Sequence, residues 1–420
     1  MQKNTTDKYL SNYAESEARN IAKIKETYKY AVVIPMCNEH VELLKSIFLN
    51  INKSQSVLVI LVINSPANHE NSSKWCKQNA LFINNIKKNF KLSYKLSNNI
   101  DLIKSNEFFD TIIVDRNSQG RKIDKNQGVG LARKIGCDIA LKYYQEGTIE
   151  CPFVFSTDAD VILPADYFKH VNASMSGCSA IVLDFEHFSD DVLLKQLQFY
   201  YDFKIRYYHA GITYAGSKYD YIPLGSTLIA SFDCYAKVRG FPKKNAGEDF
   251  YLLNKLAKIK PVFYKKHSKP IKIKSRFSDR VPFGTGPALM KINALDNIDG
   301  YLYYHPKSFE FLKQWIEFLN QMWCENKFNI EPPKNEELSN LFNFFNCQIV
   351  FEKSQNQITS KKRWTQFVHQ WFDAFKTLKA IHFFDQNLKK HNLKQLLKLP
   401  EFDKVTNLSL SIFLKNHDKN

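Results

Sequence analysis

The sequence predicts an α/β fold, with a mixed, mostly parallel sheet, flanking helices and a helical C-terminal domain. Short runs rich in β-branched and aromatic residues alternate with amphipathic segments in the first part of the chain, which favours a parallel sheet with helices on both faces. Thirteen of the 14 glycines lie between Gly120 and Gly286, and residues 301–420 contain none. Because glycine is the usual turn residue with positive φ, this absence favours helices there. With 420 residues, 44% of them hydrophobic, the chain is long enough to bury more than one core.

Strand-like and helical segments follow one another through the first domain. Their predicted ranges are 30–35 (strand), 39–52 (helix), 57–63 (strand), 111–114 (strand), 129–144 (helix) and 153–156 (strand). The run at 57–63, VLVILVI, is continuously apolar, as expected of a strand that is covered on both faces. Ligands of open parallel sheets bind beyond the carboxyl ends of the strands. The residues that follow each strand are therefore the first candidates for a site.

Composition also divides the chain into regions. Residues 1–27 are charged and helix-prone, and we expect a leading helix or arm there. The α/β domain is predicted over 28–290 and the helical domain over 301–420, a division that rests on the distribution of glycine.

The chain lacks the sequence features of secreted and membrane-spanning proteins. Its longest apolar run, 57–63, has seven residues, far fewer than the ~20 that span a bilayer. The first residues are polar and contain no apolar h-region. Eight cysteines form neither a CxxC pair nor a Cys/His zinc spacing, which favours reduced structural thiols. We expect a cytoplasmic protein, with a peripheral position on the cytoplasmic face of the membrane as an alternative.

The net charge of +17 arises from 50 lysines and nine arginines. Dispersed lysine is typical of solvated faces, and it also favours acidic partners or an anionic membrane surface. Seven of the nine arginines lie between Arg116 and Arg280. The planar guanidinium group suits bidentate recognition of phosphate, so the arginines are the better candidates for a binding site. The chain has no recognisable nucleic-acid-binding module, and we expect no nucleic-acid partner.

Polar residues follow all four predicted strands of the first domain. They are Asn38 and Glu39 after the first strand, Asn64 after the second, Asp115 after the third, and Asp158 and Asp160 after the fourth. Two carboxylates one residue apart can share Mg2+ or Mn2+ and bridge the ion to substrate phosphates. The alternative is an acidic turn ahead of the next helix, because an Asp-x-Asp triplet also arises by chance. The gathering of polar residues at four strand ends favours the metal site.

Gly247-Glu248-Asp249 begins an amphipathic helix. Acids in a first helical turn complement the helix dipole, and this effect alone explains their presence. The functional alternative is that Asp249 is a general base at a helix N-terminus facing the metal site. The helix by itself leaves both interpretations open.

Two arginines, Arg276 and Arg280, precede a loop with the sequence PFGTGP at 282–287. Guanidinium groups beside a glycine-containing loop can clamp a diphosphate that backbone N–H groups also contact. The alternative is a basic surface loop. The glycines match neither a Walker A motif nor the dinucleotide pattern G-x-G-x-x-G.

The order of these motifs resembles that of the family 2-type glycosyltransferases with a GT-A fold, a Rossmann-like fold. The resemblance covers residues 30–290, and the ordered set is more specific than any single motif. The matching motifs are Pro35-x-x-Asn38-Glu39, Gly128-Val129-Gly130-Leu131-Ala132-Arg133, Asp158-Ala159-Asp160 with Pro164, Gly225-Ser226, and Gly240-Phe241 ahead of Gly247-Glu248-Asp249.

The resemblance implies that a sugar is moved from a nucleotide-diphosphate donor, most often UDP- or GDP-linked, to a hydroxyl of a glycan, lipid or small-molecule acceptor. Asp158 and Asp160 would hold Mn2+ or Mg2+ on the diphosphate. Asp249 would be the catalytic base of an inverting enzyme, with Glu248 supporting it. The implied nucleotide-sugar-binding residues are Pro35, Asn38, Glu39, Asn64, Asp115, Arg133, Asp158, Arg276 and Arg280.

Several positions depart from the pattern of that family. Asn64-Ser65-Pro66 only partly fits the element that ends the second strand, and Lys134 stands where Asn is common after the arginine. The second and third strands lie far apart in the sequence, so residues 65–110 are a candidate insertion. Ser360 stands where processive synthases have the Gln of Gln-x-x-Arg-Trp, which implies a non-processive enzyme. The Arg280 loop also suits a retaining enzyme, so the stereochemistry stays open.

Two other functions stay open at this stage. A GT-A-like nucleotidyltransferase would release pyrophosphate instead of a nucleoside diphosphate. A non-catalytic basic module would bind a membrane or a partner protein, and its function would survive the substitution Asp249→Asn.

An aromatic and apolar stripe at helical spacing marks the C-terminal region: Trp364, Phe367, Val368, Trp371, Phe372, Phe375 and Leu378. Residues 361–400 carry nine Lys or Arg against two Asp. A basic helix with an aromatic face can lie on an anionic membrane. The commoner alternative is that such a face packs into a protein core.

Overall fold

The computed structural model describes residues 5–40, 42–89, 92–104, 109–171, 177–266, 269–324, 327–328, 330–355 and 357–417. The chain forms two compact units. Unit 1 comprises Met1–Val192 and Pro223–Ala288, and unit 2 comprises Leu193–Ile222 and Leu289–Asn420.

The strands of the described residues lie mainly in unit 1. They are β1 (Tyr30–Met36), β2 (Val57–Asn64), β3 (Leu92–Ser97), β4 (Ile100–Lys104), β5 (Asp110–Arg116), β6 (Phe153–Ser156), β7 (Val161–Ile162), β8 (Ala180–Leu183), β9 (Phe185–Phe188), β10 (Leu228–Ser231), β11 (Val262–Lys265), β12 (Ile271–Lys274), β13 (Leu302–Tyr303), β14 (Trp323–Cys324), β15 (Lys327–Phe328) and β16 (His391–Asn392).

The helices are distributed over both units. They are α1 (Thr5–Asn12), α2 (Ser16–Arg19), α3 (Glu42–Ile47), α4 (Ser72–Asn89), α5 (Gly128–Gln145), α6 (Val192–Tyr214), α7 (Phe232–Lys237), α8 (Glu248–Ala257), α9 (Thr285–Asn293), α10 (Lys307–Gln321), α11 (Glu336–Phe344), α12 (Cys347–Gln355), α13 (Lys361–Trp371), α14 (Ala374–Asp385), α15 (Leu393–Leu396), α16 (Pro400–Val405) and α17 (Leu408–His417).

A nine-stranded sheet forms the centre of unit 1, in the order β11-β8-β10-β6-β1-β2-β5-β4-β3. The adjacent strands β6, β1, β2 and β5 are parallel, whereas β10 runs antiparallel to β6 and β8. Every residue of β2 is buried, which agrees with the continuous apolar run that predicted a strand covered on both faces. The predicted mixed α/β fold, with flanking helices and a helical C-terminal region, is confirmed.

The segment 65–110, predicted as a candidate insertion, extends this sheet. It contains α4 and the antiparallel pair β3–β4, and β4 pairs in turn with β5. The parallel strands therefore end at β5, and an antiparallel hairpin forms the edge of the sheet.

The N-terminal residues belong to the packed structure of unit 1. The hydroxyl of Tyr9, on α1, donates to Asp138 Oδ1 on α5 at 2.5 Å, and the backbone N–H of Glu15 donates to Asp138 Oδ2 at 2.8 Å. Lys134 and Tyr235 donate to the same carboxylate at 3.0 and 2.9 Å. Asp138 is completely buried, so these donors take the place of water around its carboxylate.

Unit 2 has an aromatic-rich core built from α6 and the helices after residue 289. Trp315 and Trp364 are among its fully buried side chains, and the indole N–H of Trp364 donates to the carbonyl of Leu319 at 2.8 Å. A Cβ at Gly211 on α6 would lie 2.3 Å from the ring of Phe309 on α10, so these two helices pack closely. This packing explains why residues 193–222 fold with the C-terminal region.

The aromatic stripe predicted over 364–378 lies on two helices instead of one. α13 ends at Trp371, and the side chain of Asp373 then caps α14 by accepting from the N–H of Lys376 at 3.1 Å. Trp364 and Phe372 are buried in the core of unit 2, whereas Phe375 is 40% exposed. Packing into a protein core therefore accounts for much of the stripe. Within the described residues, no helix has both the length and the apolarity that crossing a membrane requires.

The cysteines with described side chains form no disulfide bond, and most are buried. Burial raises the pKa of Cys347, in unit 2, to about 12. Burial also holds the pKa of Cys137, on α5 in unit 1, far above its usual value. Neither thiol is reactive while its unit stays closed.

Candidate active site

Seven of the charged residues predicted from the sequence form two connected sets of ion pairs in unit 1, and we call them the arginine–acid cluster: Glu39, Arg133, Asp158, Asp160, Glu248, Arg276 and Arg280. In one set, Arg276 contacts both Glu39 and Asp160. In the other, Arg133 bridges Asp158 and Glu248. The Asp-x-Asp segment after β6 links the two sets, because it supplies one carboxylate to each.

Arg133 is the buried centre of the second set, with a side chain only 3% exposed. Its Nε donates to Glu248 Oε1 at 2.9 Å, and its Nη2 donates to Asp158 Oδ1 at 2.5 Å. Its Nη1 donates to Ser156 Oγ at 2.9 Å and to the carbonyl of Thr157 at 3.2 Å. One guanidinium thus joins α5, the end of β6 and the start of α8, which its planar fork of donors allows.

Two glycines of the predicted motifs permit close approach to α5. A Cβ at Gly225 would lie 2.3 Å from Nη2 of Arg133. A Cβ at Gly130 would lie 2.4 Å from the carbonyl oxygen of Pro242 and 2.5 Å from that of Lys244. The N–H of Gly130 donates to the same Lys244 carbonyl at 2.8 Å. Glycine at these positions therefore lets the segment that leads into α8 lie directly against α5.

Glu39 is the centre of the first set, and its side chain is 4% exposed. Arg276 binds it through two parallel bonds, from Nη2 to Oε1 at 2.6 Å and from Nη1 to Oε2 at 3.1 Å. Arg280 Nη1 donates to Oε1 at 2.7 Å and to the carbonyl of Cys37 at 2.8 Å. Burial alone would raise the pKa of Glu39, but the two guanidinium groups hold that pKa below its usual value.

The two aspartates after β6 differ in their surroundings. The carboxylate of Asp160 lies 2.8 Å from Arg276 Nη2, and its backbone carbonyl accepts from the N–H of Lys274 on β12. Burial raises the pKa of Asp160; the charge of Arg276 opposes this shift and that of Asp158 adds to it. The side chain of Asp158 is 34% exposed, about twice the value for Asp160 (16%). Asp158 is therefore the more accessible of the two carboxylates.

Asp249 lies in the first turn of α8, beside the cluster. Gly247 precedes the helix with φ 69°, a left-handed conformation that favours glycine. Burial raises the pKa of Asp249 to about 7, and the neighbouring charge of Glu248 adds to the shift. Arg133 holds Glu248 through Nε, so Glu248 stays close to Asp249 as a fixed negative charge. Asp249 can therefore exchange a proton near neutral pH.

The remaining predicted residues make internal contacts. Asp115 accepts four hydrogen bonds, from the N–H groups of Asn117 and Ser118, from the Ser118 hydroxyl and from Arg121 Nη1. Burial alone would raise the pKa of Asp115, but these bonds hold it below its usual value. Asn64 donates from its side chain to the carbonyl of Met36 at 3.0 Å. None of these contacts reaches the arginine–acid cluster.

The end of β1 lies close to that cluster. Pro35 is a residue of β1 and pairs with Val62 of β2, so it lies within the strand and not after it. Asn38 adopts a positive φ of 59°, and its N–H donates to Asn79 Oδ1 at 2.8 Å.

One polar residue of this region was not found from the sequence. Asn79 lies on α4, is 1% exposed, and donates through Nδ2 to the carbonyl of Asn64, to Ser65 Oγ and to Asn117 Oδ1. It therefore ties the ends of β1, β2 and β5 together. Asn79 could have been recognised in the sequence as an asparagine on the apolar side of an amphipathic helix, but the helix α4 was not predicted.

The carboxylates of the site can accept a cation. Within the described residues, no group of three or more His, Cys, Asp or Glu side chains could hold a metal ion by itself. Asp158 and Asp160 each bind one arginine, and an ionised carboxylate has about four acceptor positions. Mg2+ is usually held by one or two carboxylates together with substrate phosphates. Asp158 and Asp160 are therefore better suited to a metal ion that binds together with a diphosphate than to one that is bound permanently.

Known proteins resemble this chain only distantly. No family model matches the chain, and no curated protein matches it. A solved mannosyltransferase, PcManGT from Pyrobaculum calidifontis in complex with GDP-Man and Mn2+, is similar with 11% identity over 87% of this chain and 92% of that chain, at a TM-score of 0.33.

Glucosyl-3-phosphoglycerate synthase from Mycobacterium tuberculosis is similar in two structures. The complex with Mn2+, UDP and glucosyl-3-phosphoglycerate has 12% identity over 64% of this chain and 75% of that chain, at a TM-score of 0.29. The complex with phosphoglyceric acid has 11% identity over 59% and 71%, at a TM-score of 0.28. At these scores the similarities carry no argument about the chemistry of this chain.

Proposed function

We propose that this protein is a metal-assisted glycosyltransferase that moves a sugar from a nucleotide-diphosphate donor to an acceptor hydroxyl. The observation that supports the proposal is the arginine–acid cluster beside Asp249. It brings partly exposed arginines, an Asp-x-Asp pair and an acid with a pKa of about 7 into one region. Such a transfer requires phosphate binding, compensation of charge on the leaving group and removal of a proton. The cluster and Asp249 offer a group for each task.

Arg276 and Arg280 would bind the donor diphosphate. Their side chains are 33% and 25% exposed, whereas that of Arg133 is 3% exposed. Guanidinium groups bind phosphate oxygens through paired N–H donors, so the two partly exposed arginines suit a UDP- or GDP-linked donor. Arg133 would instead keep Asp158 and Glu248 in position.

Charge compensation supports a divalent cation at this site. The cluster contains four carboxylates and three guanidinium groups, so it is negative before a diphosphate adds further charge. Asp158 and Asp160 would hold Mn2+ or Mg2+. The bound ion would offset the charge that develops on the departing nucleoside diphosphate.

Asp249 would act as the general base. Its carboxylate would take the proton of the acceptor hydroxyl while the acceptor oxygen forms a bond to the anomeric carbon of the sugar. The bond from that carbon to the phosphate oxygen would break, and the nucleoside diphosphate would leave with the electron pair. A base with a pKa near the working pH is the most effective one. Direct attack of this kind inverts the anomeric configuration.

A thermal-stability assay tests the donor site. The protein would be melted with UDP, GDP, CDP or dTDP, each with and without Mn2+. A ligand at about 100 times its dissociation constant adds about 2.7 kcal/mol to the free energy of unfolding, a clear shift. We expect a shift with one nucleotide that requires Mn2+ and is lost in Asp158→Asn/Asp160→Asn. Asp233→Asn, an exposed acid on α7 paired with Lys237, is the control and should keep the shift.

Product analysis separates the remaining alternatives. With the donor that matches the nucleotide found, a glycosyltransferase releases a nucleoside diphosphate, and Asp249→Asn nearly abolishes turnover without unfolding the protein. Release of pyrophosphate would instead identify a nucleotidyltransferase. A cooperatively melting protein that binds none of the nucleotides would contradict the proposal and favour a membrane- or partner-binding module.

A further inference from the structure

Glu39 follows β1 at the position where the motif resemblance implies a contact with the nucleotide. In the structure its carboxylate is hidden behind two arginines. Its side chain is 4% exposed, while those of Arg276 and Arg280 are 33% and 25% exposed. A ligand that approaches from solvent therefore meets the guanidinium groups before it meets Glu39.

Both oxygens of Glu39 are already engaged. Oε1 accepts from Arg276 Nη2 at 2.6 Å and from Arg280 Nη1 at 2.7 Å, and Oε2 accepts from Arg276 Nη1 at 3.1 Å. One oxygen atom thus holds a nitrogen of each arginine. Two guanidinium groups this close would repel each other without the negative charge between them. The shared carboxylate is what allows the two arginines to lie side by side.

Other contacts also hold each guanidinium group in place. Arg280 Nε donates to Ser278 Oγ at 3.1 Å, and Arg280 Nη1 also donates to the carbonyl of Cys37 at 2.8 Å. Arg276 Nη2 also contacts Asp160 at 2.8 Å. Among the described residues, Arg280 Nη2 and Arg276 Nε have no hydrogen-bond partner. Each arginine therefore keeps an N–H donor that is available to a ligand.

We propose that Glu39 is a positioning residue that holds Arg276 and Arg280 together as a receptor for two adjacent phosphates and does not itself contact the nucleotide. This inference rests on the proposed function, since the diphosphate is that of the donor. It assigns the recognition of the diphosphate to the arginine pair and the geometry of that pair to Glu39. The base and the ribose are left to other groups.

The test compares ligands that contain and lack adjacent phosphates. Calorimetry would measure the dissociation constants of the nucleoside diphosphate found above, the matching nucleoside monophosphate, the nucleoside and inorganic pyrophosphate, with wild type and with Glu39→Gln. The amide keeps the shape of the side chain but removes the charge that both guanidinium groups share. We expect diphosphate and pyrophosphate binding to weaken by about tenfold or more, and nucleoside binding to stay unchanged.

Two further variants keep the result interpretable. Glu17→Gln is the matched control, because Glu17 is a buried acid of the same unit that pairs with Arg116 at 3.3 Å outside the cluster. It should leave all four constants unchanged. If Glu39→Gln does not fold, Glu39→Asp keeps the charge but shortens the side chain, and it should show the same loss for diphosphate and pyrophosphate alone.

The outcomes separate this inference from the proposed function. Equal weakening of nucleoside and diphosphate binding would overturn the inference, because it would make Glu39 a nucleotide contact. Unchanged pyrophosphate binding would also overturn it. A protein that binds diphosphates through this pair but transfers no sugar would contradict the proposed function and leave the role of Glu39 intact. A wild-type protein that binds neither diphosphate nor pyrophosphate would contradict both.

Discussion

At the scale of single residues, Arg133 shows how one buried charge connects carboxylates from two elements of the arginine–acid cluster. Its guanidinium makes four hydrogen bonds and is almost fully shielded from solvent. Removing one partner of a buried ion pair is costly because the other charges remain buried without compensation. Glu248, whose side chain is 6% exposed, therefore depends on Arg133 for charge compensation more than Asp158 does, whose side chain is 34% exposed.

We expect Arg133→Met to lower the free energy of unfolding by about 3–5 kcal/mol, because the buried Glu248 loses its compensating charge. Urea unfolding followed by circular dichroism would measure the change. Arg363→Met, at an exposed position on α13, is the control and should change stability by less than about 0.5 kcal/mol. A loss as small as that of the control would show that the Arg133 network contributes little to stability.

The pKa of Asp249 predicts the pH dependence of catalysis. A carboxylate with a pKa of about 7 is protonated below that pH and cannot accept a proton from the acceptor. We therefore expect kcat/KM to rise about tenfold per pH unit below pH 7 and to level off above it. A pH–rate profile between pH 5 and 9 measures this. A profile that is flat between pH 5 and 7 would exclude Asp249 as the base.

The same pKa predicts an effect on stability. An aspartate of the unfolded chain has a pKa of about 3.9, so between that value and about 7 the folded protein binds the Asp249 proton more strongly. Folding then takes up a proton, and the contribution of Asp249 to stability falls as pH rises through this window. Asp249→Asn should gain stability relative to wild type between pH 5 and pH 8 in urea unfolding. A constant difference between the two proteins would contradict the raised pKa.

At the scale of elements, the site depends on the contact between α5 and the segment that leads into α8. Gly130 lies against the carbonyls of Pro242 and Lys244, and the chain then turns through Gly247 into the helix that carries Asp249. The position of the proposed base is thus set by a backbone contact with another helix.

Gly130→Ala should disturb this contact, since its methyl group would lie 2.4 Å from the carbonyl oxygen of Pro242. We expect a loss of stability of about 1–3 kcal/mol, together with lower turnover, because α8 would have to move. Gly177→Ala is the control, because a Cβ there meets nothing within 4 Å and the residue has no positive φ. Equal effects of the two substitutions would contradict the proposed packing.

The sequence predicted those strands and helices that can be recognised from a local pattern of apolar residues. The strands β1, β2, β5 and β6 and the helix α5 were found because each is a continuous apolar run or a clear helical period. The pair β3–β4 was missed because neither strand is a continuous apolar run: Lys95 interrupts β3 and Asp101 interrupts β4. The strand ends indicated Glu39 and Asp160 among the candidates, and in the structure both contact Arg276, whereas Asn64 and Asp115 from the same prediction do not join the cluster. Which arginine pairs with which acid could not be predicted, because partners such as Arg133 and Glu248 are 115 residues apart.

At the scale of the whole molecule, unit 2 is assembled from two separate parts of the chain. Residues 193–222 join the C-terminal region through packing such as that of Gly211 against Phe309. Residues 193–222 are richer in aromatic residues than the chain as a whole, with nine Phe or Tyr in 30 residues against 14% overall. The division predicted from glycine content nevertheless included them in the first domain, because Gly211 and Gly216 lie within them. In unit 1, the first helix α1 packs against α5, where the Tyr9 hydroxyl donates to Asp138.

Tyr9→Phe tests whether the N-terminal residues stabilise unit 1. The substitution removes one hydroxyl from the network around Asp138, and we expect a loss of about 1–2 kcal/mol in urea unfolding. Tyr13→Phe is the control, because Tyr13 stacks on Tyr9 but its hydroxyl makes no hydrogen bond in the described part of the chain. A variant as stable as the control would mean that water replaces the lost hydroxyl at no cost.

The buried thiols can report how often each unit opens. Cys137 in unit 1 and Cys347 in unit 2 cannot react with an alkylating reagent while they are enclosed and protonated. Pulse alkylation followed by peptide mass spectrometry therefore records how often each unit opens, without any mutation. A nucleotide that binds the arginine–acid cluster of unit 1 should slow the modification of Cys137, and the rate at Cys347 would report whether unit 2 responds as well.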